Sequence, residues 1–152
     1  MHVLGLALAL LLPHRGELVP WRSLGGVGIG MTHAQVERVW GTNHGRCRGC
    51  AQETWYYNYR RFQPQGAAVR FHKGRADAVW TLWQPEGWHS GDLALGAAEQ
   101  EVTKRYVAAL TVPCGSYTAL VLTQRRVTTA FYVYANELWG FGLNRSTVTA
   151  CH

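Results

Sequence analysis

Cys47-Arg48-Gly49-Cys50 is the one short motif in this chain whose residue types and spacing could carry chemistry. A C-x-x-C can be a redox pair, half of a zinc site, or a small structural disulfide. Redox proteins place it at the first turn of a helix, where the dipole lowers the thiol pKa. Here the sequence after it reads as a strand, so that device is missing, although Arg46 and Arg48 beside it would favour a thiolate. A zinc site would have to recruit Cys114, Cys151 or a histidine, because there is no second C-x-x-C. The cysteine count of four fits two disulfides in an oxidising compartment, with three possible connectivities. The expected pairing is Cys47 with Cys50 and Cys114 with Cys151. Structural bridging is the leading reading; thiol-disulfide redox or metal binding through Cys47 and Cys50 is the alternative.

The remaining acid-base inventory is thin. Asp77 and Asp92 are the only aspartates, and Asp77 reads as a hairpin residue. A Ser-His-Asp triad could be assembled only from scattered positions, with no G-x-S-x-G elbow to present a nucleophile. His33, His44, His72 and His89 stand alone, without H-x-x-x-H or H-E-x-x-H spacing, and read as surface or cap residues. His2 and His14 fall in or beside the N-terminal apolar segment, and His152 ends the sequence. The glycines from Gly25 to Gly30 lack the preceding strand and following lysine of a phosphate cradle. No catalytic residue, cofactor or metal is expected, and the chain reads as a non-enzyme.

What must position these residues is a single-domain-sized chain of 152 residues, 47% hydrophobic and 16% charged. That composition excludes disorder and a multi-span membrane protein. Seven Trp and seven Tyr are a large aromatic load, suited to half-buried sheet faces and contact surfaces. The net charge is +6, nearly all from arginine, with Lys73 and Lys104 the only lysines. The arginines are scattered singly or in pairs, as at Arg60-Arg61 and Arg125-Arg126, which argues against nucleic-acid binding. Val3 to Leu12 is an uncharged apolar run closed by Pro13, too short to span a bilayer and of signal-peptide core length. Residues 1–20 are therefore expected to be a leader, and the protein to be extracytoplasmic (secreted or in the cell envelope). The other reading of the run is a buried strand or helix.

Beyond the leader, Gly30 to Trp40 (GMTHAQVERVW) can be laid over Gly96 to Tyr106 (GAAEQEVTKRY). Each reads as a glycine, a short helix and a bulky aromatic in the last turn. Thr32 is the expected N-cap and Gly41 the stop of the first helix. In the second, Glu99 and Glu101 precede Lys104 and Arg105, an order that complements the helix dipole. Strands are expected over Thr54–Arg61, Ala67–Lys73 and Ala76–Trp83, then over Tyr117–Thr123, Val127–Ala135 and Glu137–Leu143. Gly74 and Asn136 supply the left-handed turn positions, and Gln84–Gly91 reads as a linker. The expectation is an α+β fold of two tandem helix-plus-three-strand repeats, 24–84 and 90–145, with helices packed on antiparallel sheet and a tail over 146–152.

The signature Gly30-Met31-Thr32, Val36, Trp40-Gly41, then Trp55-x-Tyr57 and Phe71 before the Lys73-Gly74-Arg75 turn, resembles the unit shared by the β-lactamase inhibitory protein and the SmpA/BamE assembly lipoproteins. The resemblance covers roughly Val27 to Leu143, and its motifs speak to fold more than function. The lipidated cysteine of those lipoproteins is absent, and no interface residue carries over. What the resemblance implies is an extracytoplasmic protein-binding or inhibitor-like module. Large rings alternate onto both faces of the expected strands, which leaves Tyr56, Trp80, Tyr132, Tyr134 and Trp139 as the candidate binding surface. The expected partner is another extracytoplasmic protein. An envelope protein that binds a polymer or a second copy of itself is a third reading.

Overall fold

In a computed structural model, residues 16–57, 66–81 and 87–152 are described. The apolar run of the leader therefore lies outside the described residues, as do the ends of two expected strands (58–61 and 82–83) and residues 84–86 of the linker. The protein is mostly β. After a small hairpin, β1 (Leu18–Val19) and β2 (Ser23–Leu24), come helix α1 (His33–Trp40) and four strands: β3 (Gly45–Arg46), β4 (Glu53–Tyr57), β5 (Ala67–His72) and β6 (Arg75–Thr81). A second hairpin, β7 (His89–Ser90) and β8 (Leu93–Ala94), precedes helix α2 (Glu99–Arg105) and the strands β9 (Leu110–Pro113), β10 (Thr118–Gln124), β11 (Val127–Tyr134) and β12 (Glu137–Arg145).

This overturns the expected α+β architecture of two helix-plus-three-strand units. The strands form one eight-stranded antiparallel sheet in the order β3-β4-β5-β6-β12-β11-β10-β9. The two halves are joined at its centre, where Gly142 pairs with Trp80, Leu143 with Val79 and Asn144 with Ala78. Phe141 N–H also donates to the buried Thr81 hydroxyl at 3.0 Å. The helices are only eight and seven residues long, so they lie on the sheet without forming a layer of their own. The fourth strand of each half was not foreseen because β3 and β9 are short edge strands with no alternating pattern. The linker expected over 84–91 is also corrected: Trp88 is buried in the core and His89–Ser90 is a strand. Leu18 and Val19, inside the 1–20 span assigned to the leader, form β1, and Leu18 is buried.

Each helix is fixed at its start by a backbone clip to the strand that leaves a hairpin turn. Gly30 N–H donates to Ala76 O at 2.7 Å, and Ala76 N–H returns to Met31 O at 2.8 Å. Gly96 N–H donates to Leu138 O at 2.7 Å and Leu138 N–H to Ala97 O at 2.7 Å. Both glycines need positive φ, 91° and 90°, which is why the helix signature opens on glycine. Thr32 caps α1 in a full capping box with Gln35, and Gly41 (φ 89°) ends it. Val36 and Trp40, one turn apart, then face the sheet, and Trp40 Nε1 donates to Gly25 O at 2.8 Å. The hairpin turns Lys73-Gly74 and Ala135-Asn136 both hold two positive-φ residues, as tight two-residue hairpins demand.

One face of the sheet carries Trp55, Val69, Phe71, Val79, Leu120, Phe131, Phe141 and Leu143 under the helices and the two small hairpins. Trp21 at the tip of the first hairpin spans the halves. It takes φ 61°, donates its N–H to Thr129 Oγ1 at 2.8 Å, and its Nε1–H to Leu122 O at 3.0 Å. The opposite face is built from small residues, Ala68, Ala78, Ala119 and Ala130, around Trp80 and Tyr132.

Gly30→Ala should cost about 1–2 kcal/mol, the penalty of a left-handed residue with a Cβ, since that Cβ would meet nothing within 4 Å. Gly45→Ala, outside the positive-φ set, should shift the urea midpoint far less. Equal destabilisation by both would contradict the clip.

Candidate functional site

The second face is where the sequence placed its binding surface, and the structure divides that surface in two. A bulge between Tyr132 and Val133 pairs Tyr132 with Gly140 and Val133 with Leu138, leaving Trp139 as the extra residue. A bulge re-aims side chains; here Trp139 comes within ring contact of Tyr134 (centroids 5.6 Å) and Tyr117 (6.2 Å). Tyr134 is 52% exposed, and Trp139 and Tyr117 are half-buried. These three rings form a continuous aromatic surface beside the β11–β12 turn.

Trp80 and Tyr132, by contrast, are covered. The tail over 146–152 folds back across the face. His152 stacks on Trp80 with centroids 3.9 Å apart and planes 6° from parallel. Its Nε2 meets Asn144 Oδ1 at 2.7 Å. The Tyr117 hydroxyl donates to His152 O at 2.6 Å and accepts from His152 N–H at 2.7 Å, while Tyr132 O–H donates to Ala150 O at 2.7 Å. Gly142 makes the space: a Cβ there would stand 3.0 Å from the Tyr132 ring. Burial raises the Tyr132 phenol well above its ordinary pKa, so it is held as a neutral donor. Burial first, and the Arg70 guanidinium second, lower the His152 pKa to about 3. Two of the five candidate surface residues are thus core. Tyr56 is half-buried on β4, four strands from β11 in the sheet order, and packs at the edge of the cluster that holds Trp80 and Tyr132. Sequence reasoning missed Tyr117 and the tail; alternation shows two ringed faces but not which one a distant segment covers.

The cysteines form the disulfides Cys47–Cys50 and Cys114–Cys151, with no free thiol. Cys114–Cys151 ties the tail to the loop after β9. Cys47–Cys50 closes the loop between β3 and β4, and neither cysteine lies in a helix. The lone histidines are busier than expected. His44 is buried, stacked on Trp55 at 3.7 Å and bonded to Glu37 at 3.0 Å. His33 stacks on Phe71 and meets Glu53 at 3.1 Å. His72 is exposed, and His89 meets Gly91 O. Asp77 is not a turn residue but the bulged residue of β6, buried and paired with Arg70 at 2.9 Å. Among the described residues no three His, Cys, Asp or Glu side chains are grouped to hold a metal.

Neither a protein-family model nor a curated protein sequence matches this chain. Two solved structures share its fold. A DUF4309 family protein, YjgB, from Bacillus subtilis superposes with a TM-score of 0.58 at 16% identity, covering 86% of this chain and 88% of that one. An extracellular protein containing a SCP domain from Bacillus anthracis superposes with a TM-score of 0.55 at 12% identity, over 77% of this chain but only 44% of its own length. The near-complete mutual coverage of the first identifies the whole sheet, and not half of it, as the fold unit. Neither is a β-lactamase inhibitory protein or a BamE-like lipoprotein.

Opening the Cys114–Cys151 bridge (Cys114→Ser/Cys151→Ser) frees a 37-residue separation and should cost about 4 kcal/mol, against about 2 kcal/mol for Cys47→Ser/Cys50→Ser. Urea unfolding of both pairs checks the order. A histidine whose folded pKa is lowered stabilises the fold above its ordinary pKa and loses that contribution as pH falls. The wild type should therefore lose stability relative to His152→Gln as pH falls from about 6.5 toward 3. Parallel pH profiles of the two would show that the ring is not buried neutral.

Proposed function

We propose that this protein is a non-catalytic, extracytoplasmic binding module whose recognition surface is the ring cluster Tyr134, Trp139 and Tyr117, with another extracytoplasmic protein as partner. The carrying observation is the division of the second face. The tail consumes Trp80 and Tyr132, and the bulge turns Trp139 to the same side as Tyr134 and Tyr117. Rings with an apolar body and a polar tip, held rigid by a sheet, provide contact area at little cost in conformational entropy. Two disulfides support an oxidising compartment, and one of the two structural neighbours is an extracellular protein. No described helix is long and apolar enough to cross a membrane. The thiol-exchange alternative draws no support from the Cys47–Cys50 loop, which lacks the helix dipole that would activate a thiolate.

A photocrosslinking residue at position 134, introduced in the native host, should give one discrete adduct. Trp139→Asp should abolish it while leaving the far-UV spectrum unchanged. A hot-spot ring at an interface centre is worth about 2 kcal/mol or more, roughly thirtyfold in affinity. Absence of any adduct, or an adduct indifferent to Trp139→Asp, would rule this surface out.

A further inference from the structure

We propose that the sheet end bearing the β5–β6 and β10–β11 turns docks on an anionic phospholipid surface. Strand direction brings these turns together. β6 leaves its turn as β12 arrives beside it, with Asn144 opposite Ala78, and Arg145 in turn pairs with Val127 at the start of β11. Lys73 and Arg75 at the first turn, Arg145 between, and Arg125 and Arg126 at the second therefore line one rim. Across the intervening strands its width is about 15 Å. Arg22 joins them from the tip of the first hairpin, placed there by the Trp21 bonds to Leu122 and Thr129.

All six cations are exposed, and none makes an ion pair among the described residues. Arg75 also donates to Gly30 O. Among the described residues two carboxylates sit near this end and both are engaged: Asp77 by Arg70, and Glu53 by His33 and Trp55. Glu137 lies at the other end, by the β11–β12 turn, with Glu99 bonded to Asn136 there. Among the described residues charge is thus sorted along the strands, a distribution that orients the molecule in the field of an anionic surface. Arginine forks match phosphodiester oxygens. The choice of a membrane over a soluble polyanion rests on two apolar side chains on this side of the outermost strand. Val107 is 86% exposed in the loop entering β9, and Leu110, paired with Val121, is 70% exposed. A lipid interface shelters such groups; a polyanion does not.

The test is co-sedimentation of the full chain with vesicles of pure phosphatidylcholine and of phosphatidylcholine mixed with phosphatidylglycerol. Binding is expected only to the mixed vesicles, weakening with added salt. At about one kcal/mol per cation, Arg125→Gln/Arg126→Gln should reduce it roughly thirtyfold. Leu110→Asn should weaken it several-fold without changing the salt slope, while Arg38→Gln on the outer side of α1 leaves it within about twofold. Circular dichroism checks that each variant is folded. Equal binding to both vesicle types, or binding unmoved by the double variant, overturns the proposal. So does retention on polyphosphate with no partition onto vesicles, which would make the rim a site for a soluble polyanion.

Discussion

The pairing of β6 with β12 is the contact on which both faces of this molecule depend. It fuses two four-stranded halves into one sheet, and its register decides what stands beside what. Gly142 opposite Trp80 opens the hollow in which Tyr132 lies and over which the His152 ring stacks. The same register places Arg145 between the two hairpin turns. A slip of one residue would send every side chain of β12 to the other face. Gly142 and Asn144 would then turn into the helix-covered core, and Leu143 and Phe141 would lose it.

The two faces solve the burial problem differently. On the first, large side chains are covered by short helices and hairpins clipped to the strands through backbone hydrogen bonds. On the second, alanines and glycine leave little relief, and a single tail segment suffices as cover. That segment is too short to bury much by itself, so it is held by a disulfide, by the two bonds of Tyr117 to the His152 backbone, and by the Trp80 stack. The tail stops short of Tyr134, which is 52% exposed. Where cover ends and rings continue is where a partner has something to gain.

The sequence made local features legible. Thr32 and Gly41 bound the first helix because their capping chemistry is short-range, and the Gly74 and Asn136 turns follow from φ alone. The pairing of cysteines agreed with expectation. What escaped was non-local or brief. Two-residue strands such as β1 and β7 carry no period to read. The edge strands β3 and β9 carry glycine or proline in place of alternation. Nothing in β6 or β12 announces that they pair across the whole second half of the chain, and so the sequence reads as two units instead of one sheet. The aromatic site was half legible: alternation found the rings of the second face, but the covering of Trp80 and Tyr132 depends on a tail far downstream of both. Asp77 was misplaced for a related reason, since a bulge cannot be seen without its partner strand.

One nuclear Overhauser experiment on the protein labelled at nitrogen and carbon reads register and tail cover together. Cross-strand contacts between Val79 and Leu143 and ring contacts between His152 and Trp80 are expected, both in the same spectrum. A spectrum with the strand contacts but a tail free of Trp80 would return that ring to the open surface and remove the basis for confining recognition to Tyr134, Trp139 and Tyr117. Absence of the Val79–Leu143 contacts would contradict the single sheet itself.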